Sequence, residues 1–416
     1  MNQTQRLLVA VVVSFSSMVA CATSRGGPST SPAVTYAPPP DLPTNVLLAT
    51  TTTAAPAGEP GGQISEYGPS SQGDAAYRSA LSDAYKSFKG LSEGKNADYI
   101  PILASVDPSL YGLVIVTVQG AVYEIGTARQ EFSIQSVSKP FTVARVIETA
   151  GADAVNKRIG VNATGQKFNS ILAIDLLKNI PSDKEHLIPA GNPLVNPGAI
   201  TTVDLLPVAA GMDKWSVIIG NLEAFAGRKL TVNDEVYRSE SETNTHNRAI
   251  VQLLKDYEVI KGDPLQALDL YTRQCSVSVS ARDLGVMGAT LANGGRNPLT
   301  GVQVVSPATV AKALAIVATA GFYETTGEWL YRVGVPAKSG VGGGIVAVVP
   351  GRFAIGTFSP PLDPAGNSVR GQRAVEAMIQ RLGGNVFASR PAGRVPQTGA
   401  TGPAPAPAPT AVARKN

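Results

Sequence analysis

Phe132-Ser-Ile-Gln-Ser-Val-Ser-Lys-Pro140 places a serine, Ser136, three residues ahead of a lysine, Lys139, at what reads as the start of a helix. Residues at i and i+3 share one helix face, a turn apart. A serine hydroxyl is a weak nucleophile until a base removes its proton. A lysine serves as that base only when burial or neighbouring cations keep it neutral, and a semi-buried helix start can supply such a setting. Behind Lys139 an apolar stripe of Val143, Val146, Ile147 and Ala150, closed by Gly151, carries the helix onward.

The spacing alone is a weak signal. Ser92-Glu-Gly-Lys95 repeats it in a segment with no helix pattern behind it, and two surface residues are the ordinary reading of such a match. The surroundings of Ser136 set it apart. A hairpin is predicted ahead of it, Leu113 to Val118 and Ala121 to Ile125, turning at Gln119-Gly120. Far downstream, Lys338-Ser-Gly340 precedes the strand-like run Ile345 to Val349. A Ser-x-x-Lys, then a Lys-[Ser/Thr]-Gly beside an edge strand, are in that order two elements of the penicillin-recognising serine hydrolases.

The bulk composition narrows the chemistry. With 416 residues and 44% hydrophobic content, the chain can bury one large core or two ordinary ones. The 35 basic and 31 acidic residues are spread without a basic block, which argues against nucleic acid as a partner. Cys21, Cys275, His186 and His246 have no spacing suited to structural zinc. The chemistry is therefore metal-free or uses carboxylates and carbonyls only.

Both ends differ from the middle. Residues 1–21 carry one charge, Arg6, and an apolar run from Leu7 to Val13 that suits a secretory signal peptide better than a membrane span. It ends in Met18-Val-Ala-Cys21, similar to a bacterial lipoprotein cleavage box with Cys21 as the lipidated residue. The expected location is extracytoplasmic, either anchored in the cell envelope through Cys21 or secreted. Residues 22–73 read as a Ser/Thr/Pro-rich linker and 389–416 as a Pro/Ala-rich tail. Residues 74–388 remain as one folded unit without internal repeats.

Within that unit a helix is expected over Ala75 to Leu91, and the stretch from about 150 to 335 is dominantly helical. Ser280-Ala-Arg-Asp283 resembles a capping box for a helix ending near Asn293-Gly-Gly295. Two strands follow, Ile345 to Val349 and Phe353 to Phe358, then a helix with Val375, Met378, Ile379 and Leu382 on one face. Strands at both ends with helices between imply one sheet built from distant segments beside a helical insert. Ser136 then lies at their seam, where pockets commonly form.

The segments Gly94-Lys-Asn-Ala-Asp-Tyr-Ile-Pro101, Phe132 to Pro140, Asn192-Pro-Leu-Val-Asn-Pro-Gly-Ala-Ile200, and Ser239-Glu-Ser-Glu242 with Asn247 carry a closer resemblance. Tyr271 to Ser276, Leu291 to Gly295, Gly321-Phe-Tyr323, Pro336 to Val341, Ser359 to Asp363 and Gly366-Asn-Ser368 extend it. From Tyr85 to Leu382 the chain resembles the serine-dependent glutaminases, which hydrolyse L-glutamine to L-glutamate and ammonia. The resemblance implies an α/β (α+β) fold of the β-lactamase/transpeptidase-like type. Its central, mostly antiparallel sheet is flanked by helices, with a helical subdomain. It implies no cofactor, a homodimer or homotetramer, and a cytoplasmic location as the family default.

Residue by residue, the resemblance makes Ser136 the nucleophile, forming a glutamyl-serine ester, and Lys139 its base. Tyr323 or Tyr271 becomes the proton relay to ammonia. Substrate-binding positions fall on Tyr99, Ser136, Asn196, Glu240, Asn247, Tyr271, Tyr323 and Val341. The N–H groups of Ser136 and Val341 become the oxyanion donors. The residue types suit glutamine. A carboxylate such as Glu240 pairs with its ammonium, while Asn196, Asn247 and Tyr271 can hold its carboxylate. Taken singly, Tyr271 reads as a core tyrosine, Glu240 and Glu242 as a solvated face, Asn196 as a turn residue and Cys275 as a small hydrophobe.

Two departures from the family stand out. Pro197 follows Asn196 where alanine is usual, removing one N–H. Thr245-His246 stands where Asp-Arg is usual, removing a charged pair near the pocket. Two rival readings remain. One is a β-lactamase or D,D-peptidase, against which no Ser-Asp-Asn or Tyr-x-Asn motif lies between Ser136 and Lys338. The other is a non-catalytic glutamine- or peptidoglycan-binding lipoprotein, against which the serine, lysine and both tyrosines are intact.

Overall fold

A computed structural model describes residues 64–67, 73–179 and 190–388. The expected signal peptide with Cys21, most of the stretch read as linker and the tail from 389 lie outside the described residues.

Among the described residues eight strands are formed: β1 (Ser65–Tyr67), β2 (Gly112–Thr117), β3 (Val122–Gly126), β4 (Phe132–Ser133), β5 (Ser278–Val279), β6 (Ala337–Ser339), β7 (Gly344–Val349) and β8 (Phe353–Phe358). Six of them make one sheet in the order β1-β3-β2-β8-β7-β6, and every pairing in it is antiparallel. The expected hairpin is β2–β3, closed where Gly120 adopts φ 93°. The sheet joins distant segments as anticipated, since Gly112 of β2 pairs with Phe358 of β8. One expectation is corrected: β1 falls inside the stretch read as linker, where its backbone pairs Ser65 with Glu124 of β3. Three residues of strand carry too little periodicity to stand out from a Ser/Thr/Pro-rich background.

The strands alternate their side chains between two cores. Leu113, Ile115, Ile345, Ala347 and Ile355 face the helices Asp74–Phe88 and Val369–Leu382. Val114, Val116, Val346, Val348 and Ala354 face the helix Ala281–Ala292 and the helical insert beyond it. The Ser280–Asp283 capping box is present in both directions, and Arg228 grips Asp283 with two nitrogens at 2.7 and 2.8 Å. Among the described residues no helix is long and apolar enough to cross a membrane.

Candidate active site

Ser136 sits in a single 3-10 turn, Gln135–Ser138, that runs straight into the helix Lys139–Ala150. β4 delivers the turn by pairing with β5, and Ile134 N–H donates to Val277 O at 2.8 Å. On its other side stands β6, the last strand of the sheet. A Cβ on Gly340, which follows β6, would lie 3.3 Å from Ser136 N and 3.1 Å from Ile134 O. The glycine thus lets the 339–341 backbone come up against the serine's own backbone. Ser136 and Lys139 are both buried.

Lys139 Nζ donates to Asn196 Oδ1 at 2.8 Å and to Leu194 O at 3.2 Å. Among the described residues no carboxylate pairs with it, and burial brings its pKa down to about 7, with a smaller opposing pull from Cys275. Asn196 Oδ1 also accepts from the Tyr271 hydroxyl at 3.1 Å, and its Nδ2 donates to Asn247 Oδ1 at 3.0 Å. Both ends of that amide are engaged, and one Nδ2 hydrogen is left for a further acceptor.

Asn196 opens the helix Asn196–Leu205, so its local reading as a turn residue is corrected. Pro197 lies in the first turn of that helix, where an N–H has no intrahelical acceptor in any case. The departure from the family's alanine costs no hydrogen bond inside the helix. His246, the second departure, is exposed, and its Nε2 meets Asn169 O at 2.6 Å. That contact ties the helix Thr245–Asp256 to the loop carrying Phe168, whose ring packs 4.9 Å from that of Tyr323.

Glu240 lies on the helix Asp234–Thr243, one turn beyond the buried Val236, and shares its inward face. Desolvation raises its carboxyl to about 7, against a hydrogen bond from Gln135 Nε2 that lowers it. Glu242 is exposed, as the solvated-face reading had it. Gln135 was not anticipated. It adopts φ 51°, in the left-handed region, directly before the serine, and spans Ser133 Oγ and Glu240. Nothing in the residue type of a glutamine signals that conformation.

Tyr271 and Tyr323 are both buried, and burial raises both phenols. The Tyr323 hydroxyl approaches the hydroxyls of Ser136 and Ser339, yet it forms no well-aligned hydrogen bond. Cys275, one turn beyond Tyr271, is a buried free thiol pushed up to about 12 by desolvation. Tyr99 is 54% exposed, yet burial of its hydroxyl end raises the phenol. Val341 is held by Ala97, Ile100, Leu103, Val236 and Leu362, a small cluster apart from the two main cores. The structure thus gathers Tyr99, Ser136, Lys139, Asn196, Glu240, Asn247, Tyr271, Tyr323 and Val341 around one seam. Beyond Gln135, it adds Lys338, whose Nζ lies 4.0 Å over the Tyr323 ring.

Known proteins fit this arrangement. The family model described as Glutaminase matches residues 94–387. A glutaminase of Colwellia psychrerythraea is 50% identical over 310 residues, covering 74% of this chain and 97% of its own. One from Mycobacterium ulcerans is 47% identical over 314 residues, 76% of this chain and 95% of its own. A solved structure described as probable glutaminase ybaS is 43% identical with a TM-score of 0.72, covering 76% of this chain and 99% of that one. Another, a probable glutaminase from Bacillus subtilis complexed with 6-diazo-5-oxo-L-norleucine, is 28% identical with a TM-score of 0.66, covering 77% and 99%. With a family model spanning most of the chain and relatives matched over nearly their whole length, this chain belongs to the glutaminase family.

Proposed function

We propose that Ser136, activated by Lys139, carries out the glutaminase reaction by attacking the side-chain carbonyl carbon of L-glutamine. The observation that carries this reading is the pairing of Lys139 Nζ with Asn196 Oδ1 and Leu194 O, all three residues being buried. A neutral amine has two N–H groups. Both are used there, which leaves its lone pair for the serine hydroxyl one turn earlier on the same face. The proton leaves Ser136 for Lys139 as the C–O bond forms. The resulting oxyanion rests on the N–H groups of Ser136 and Val341, one such donor being worth about 3 kcal/mol of barrier. The C–N bond breaks as Tyr323 passes a proton to the departing nitrogen and takes up the one held by Lys139, so that ammonia leaves and both groups return to their starting state. Water then cleaves the glutamyl-Ser136 ester, returning the serine and releasing L-glutamate. Glu240 takes the substrate ammonium, and Asn247 with Tyr271 faces its carboxylate.

The test is release of ammonia and L-glutamate from L-glutamine by the full chain, with Ser136→Ala in parallel. Equal release of both that disappears in the variant is the expected result. Wild-type-like release from the variant would overturn the assignment. 6-Diazo-5-oxo-L-norleucine, which places a diazo ketone where glutamine has its amide, is expected to alkylate Ser136 with loss of nitrogen. Peptide mass mapping reads the adduct.

We also infer that the chain is exported and anchored through acylated Cys21, on the support of Met18-Val-Ala-Cys21. Fatty-acid labelling that marks the wild type but not Cys21→Ser is the expected result. The family resemblance further supports a homodimer or homotetramer, which light scattering on the purified chain reads directly.

A further inference from the structure

Lys139 and Lys338 are both among the largest fully buried side chains of the protein. The first has a task in the reaction, whereas the second has been given none. An amine buried to this degree is unfavourable unless it does something an alkyl chain of the same length cannot. Lys338 stands in the middle of β6, and its Nζ donates to Ser339 O at 2.5 Å. Its other close neighbour is the face of Tyr323, 4.0 Å from nitrogen to ring centroid.

Tyr323 is a residue that needs holding. It adopts φ 56°, a conformation that a bulky side chain keeps only when its surroundings over-determine it. Its hydroxyl has no well-aligned partner, so the packing of the ring alone decides where the phenol oxygen sits. Phe168 lies against the ring at 4.9 Å, and Lys338 stands much nearer the ring than Lys139, whose Nζ is 5.9 Å from the centroid. Lys338 is itself fixed through its neighbour. Ser339 Oγ donates to Asn367 Oδ1 at 2.5 Å, and Ser339 N–H donates to Gly321 O at 3.3 Å, two residues before the tyrosine.

We propose that Lys338 is a positioning residue for glutamine hydrolysis, its amine seating the Tyr323 ring so that the phenol hydroxyl meets the hydroxyl of Ser136. Burial, and then the nearness of Lys139, hold Lys338 well below the usual lysine range. In either protonation state it presents an N–H to the ring face. The inference rests on the roles assigned above to Ser136 and Tyr323.

The experiment is a double-mutant cycle of Lys338→Met with Tyr323→Phe, reading kcat and KM for L-glutamine together with thermal melting. Lys338→Met keeps the length and removes the N–H. Its kcat is expected to fall about 10- to 100-fold while KM stays within about threefold. In the Tyr323→Phe background the same change is expected to alter kcat less than about twofold, because the effect passes through the phenol. Wild-type kcat in Lys338→Met would overturn the proposal, as would an equal loss in both backgrounds, which a packing defect would give. If Lys338→Met does not melt cooperatively, Lys338→Arg, which keeps N–H donors against the ring, is expected to hold kcat within about threefold of the wild type, and a 10- to 100-fold loss that persists in the Tyr323→Phe background would overturn the proposal. Tyr323→Phe alone with wild-type kcat would instead show that the assignment of Tyr323 had failed.

Discussion

Asn196 Oδ1 accepts from Lys139 Nζ at 2.8 Å, so the amine beside Ser136 is aimed by a side chain from a different helix. That acceptor is uncharged, and its neutrality matters. A carboxylate in its place would favour the ammonium, and a lysine holding its proton cannot take another. Asn196→Asp is expected to raise the Lys139 pKa from about 7. The acid limb of kcat/KM should then move to higher pH, with kcat at pH 7 down about 100-fold and the melting temperature nearly unchanged. A pH–rate profile of the variant checks this.

In the wild type two groups titrate near the working range, Lys139 at about 7 and Glu240 at about 7. Lys139 must lose its proton to act as base, and Glu240 must lose its own to pair with an ammonium. Both demands point the same way, so kcat/KM is expected to rise with pH through about 7, steeply because two protons leave. A profile flat from pH 6 to 8 would remove both assignments.

Stability moves differently. The Glu240 carboxyl titrates above its unfolded value, so between about 4.5 and about 7 the folded chain holds the extra proton and its stability falls as pH rises. Lys139 titrates below its unfolded value, so between about 7 and about 10.5 the unfolded chain holds the extra proton and stability rises with pH. Glu240→Gln removes the first penalty. At pH 8 it is expected to melt about 1–3 °C higher than the wild type while KM rises about 10- to 100-fold. Calorimetry and steady-state kinetics on one preparation read both.

Gly198 and Gly340 are expected to behave oppositely. A Cβ on Gly198 would lie 1.8 Å from Asn192 O, backbone that cannot yield, so Gly198→Ala should lose about 3 kcal/mol or more and give little soluble protein. A Cβ on Gly340 meets Ser136 N at 3.3 Å and Val137 Cγ2 at 3.0 Å, a misfit of tenths of an ångström. Gly340→Ala should fold, melt within a few degrees of the wild type, and lose about 10- to 100-fold in kcat as the 339–341 backbone backs away from the serine.

The Tyr323 hydroxyl is buried without an aligned partner. Its removal therefore costs no good hydrogen bond, and Tyr323→Phe is expected to equal or exceed the wild type in melting temperature. A drop of several degrees would show that the hydroxyl is structural.

The parts of this molecule written locally were legible. Val143, Val146 and Ile147 recur at helix spacing and are buried in a helix; Ser280 and Asp283 form the capping box their spacing announced. The gathering of the site was legible only through resemblance, because Glu240 and Asn196 reach Ser136 from separate helices that no local pattern links to it. One local clue to Glu240 did exist, as Val236 lies one turn ahead on the same face and marks that face as buried. Gln135 and β1 left no comparable trace. The first depends on a backbone angle, and the second on a pairing partner far along the chain.

The pairing of β2 with β8 has a consequence in time. A ribosome makes Gly112 long before it makes Phe358, and the strand next to the first hairpin does not exist until the whole helical insert has been made. The turn that carries Ser136 is likewise covered by β6 and β7, which come late. The nascent chain must carry the hairpin and its unfinished insert as exposed apolar surface until the last strands arrive. Slowed translation after Val349 should prolong that exposure, and chaperone dependence should concentrate there.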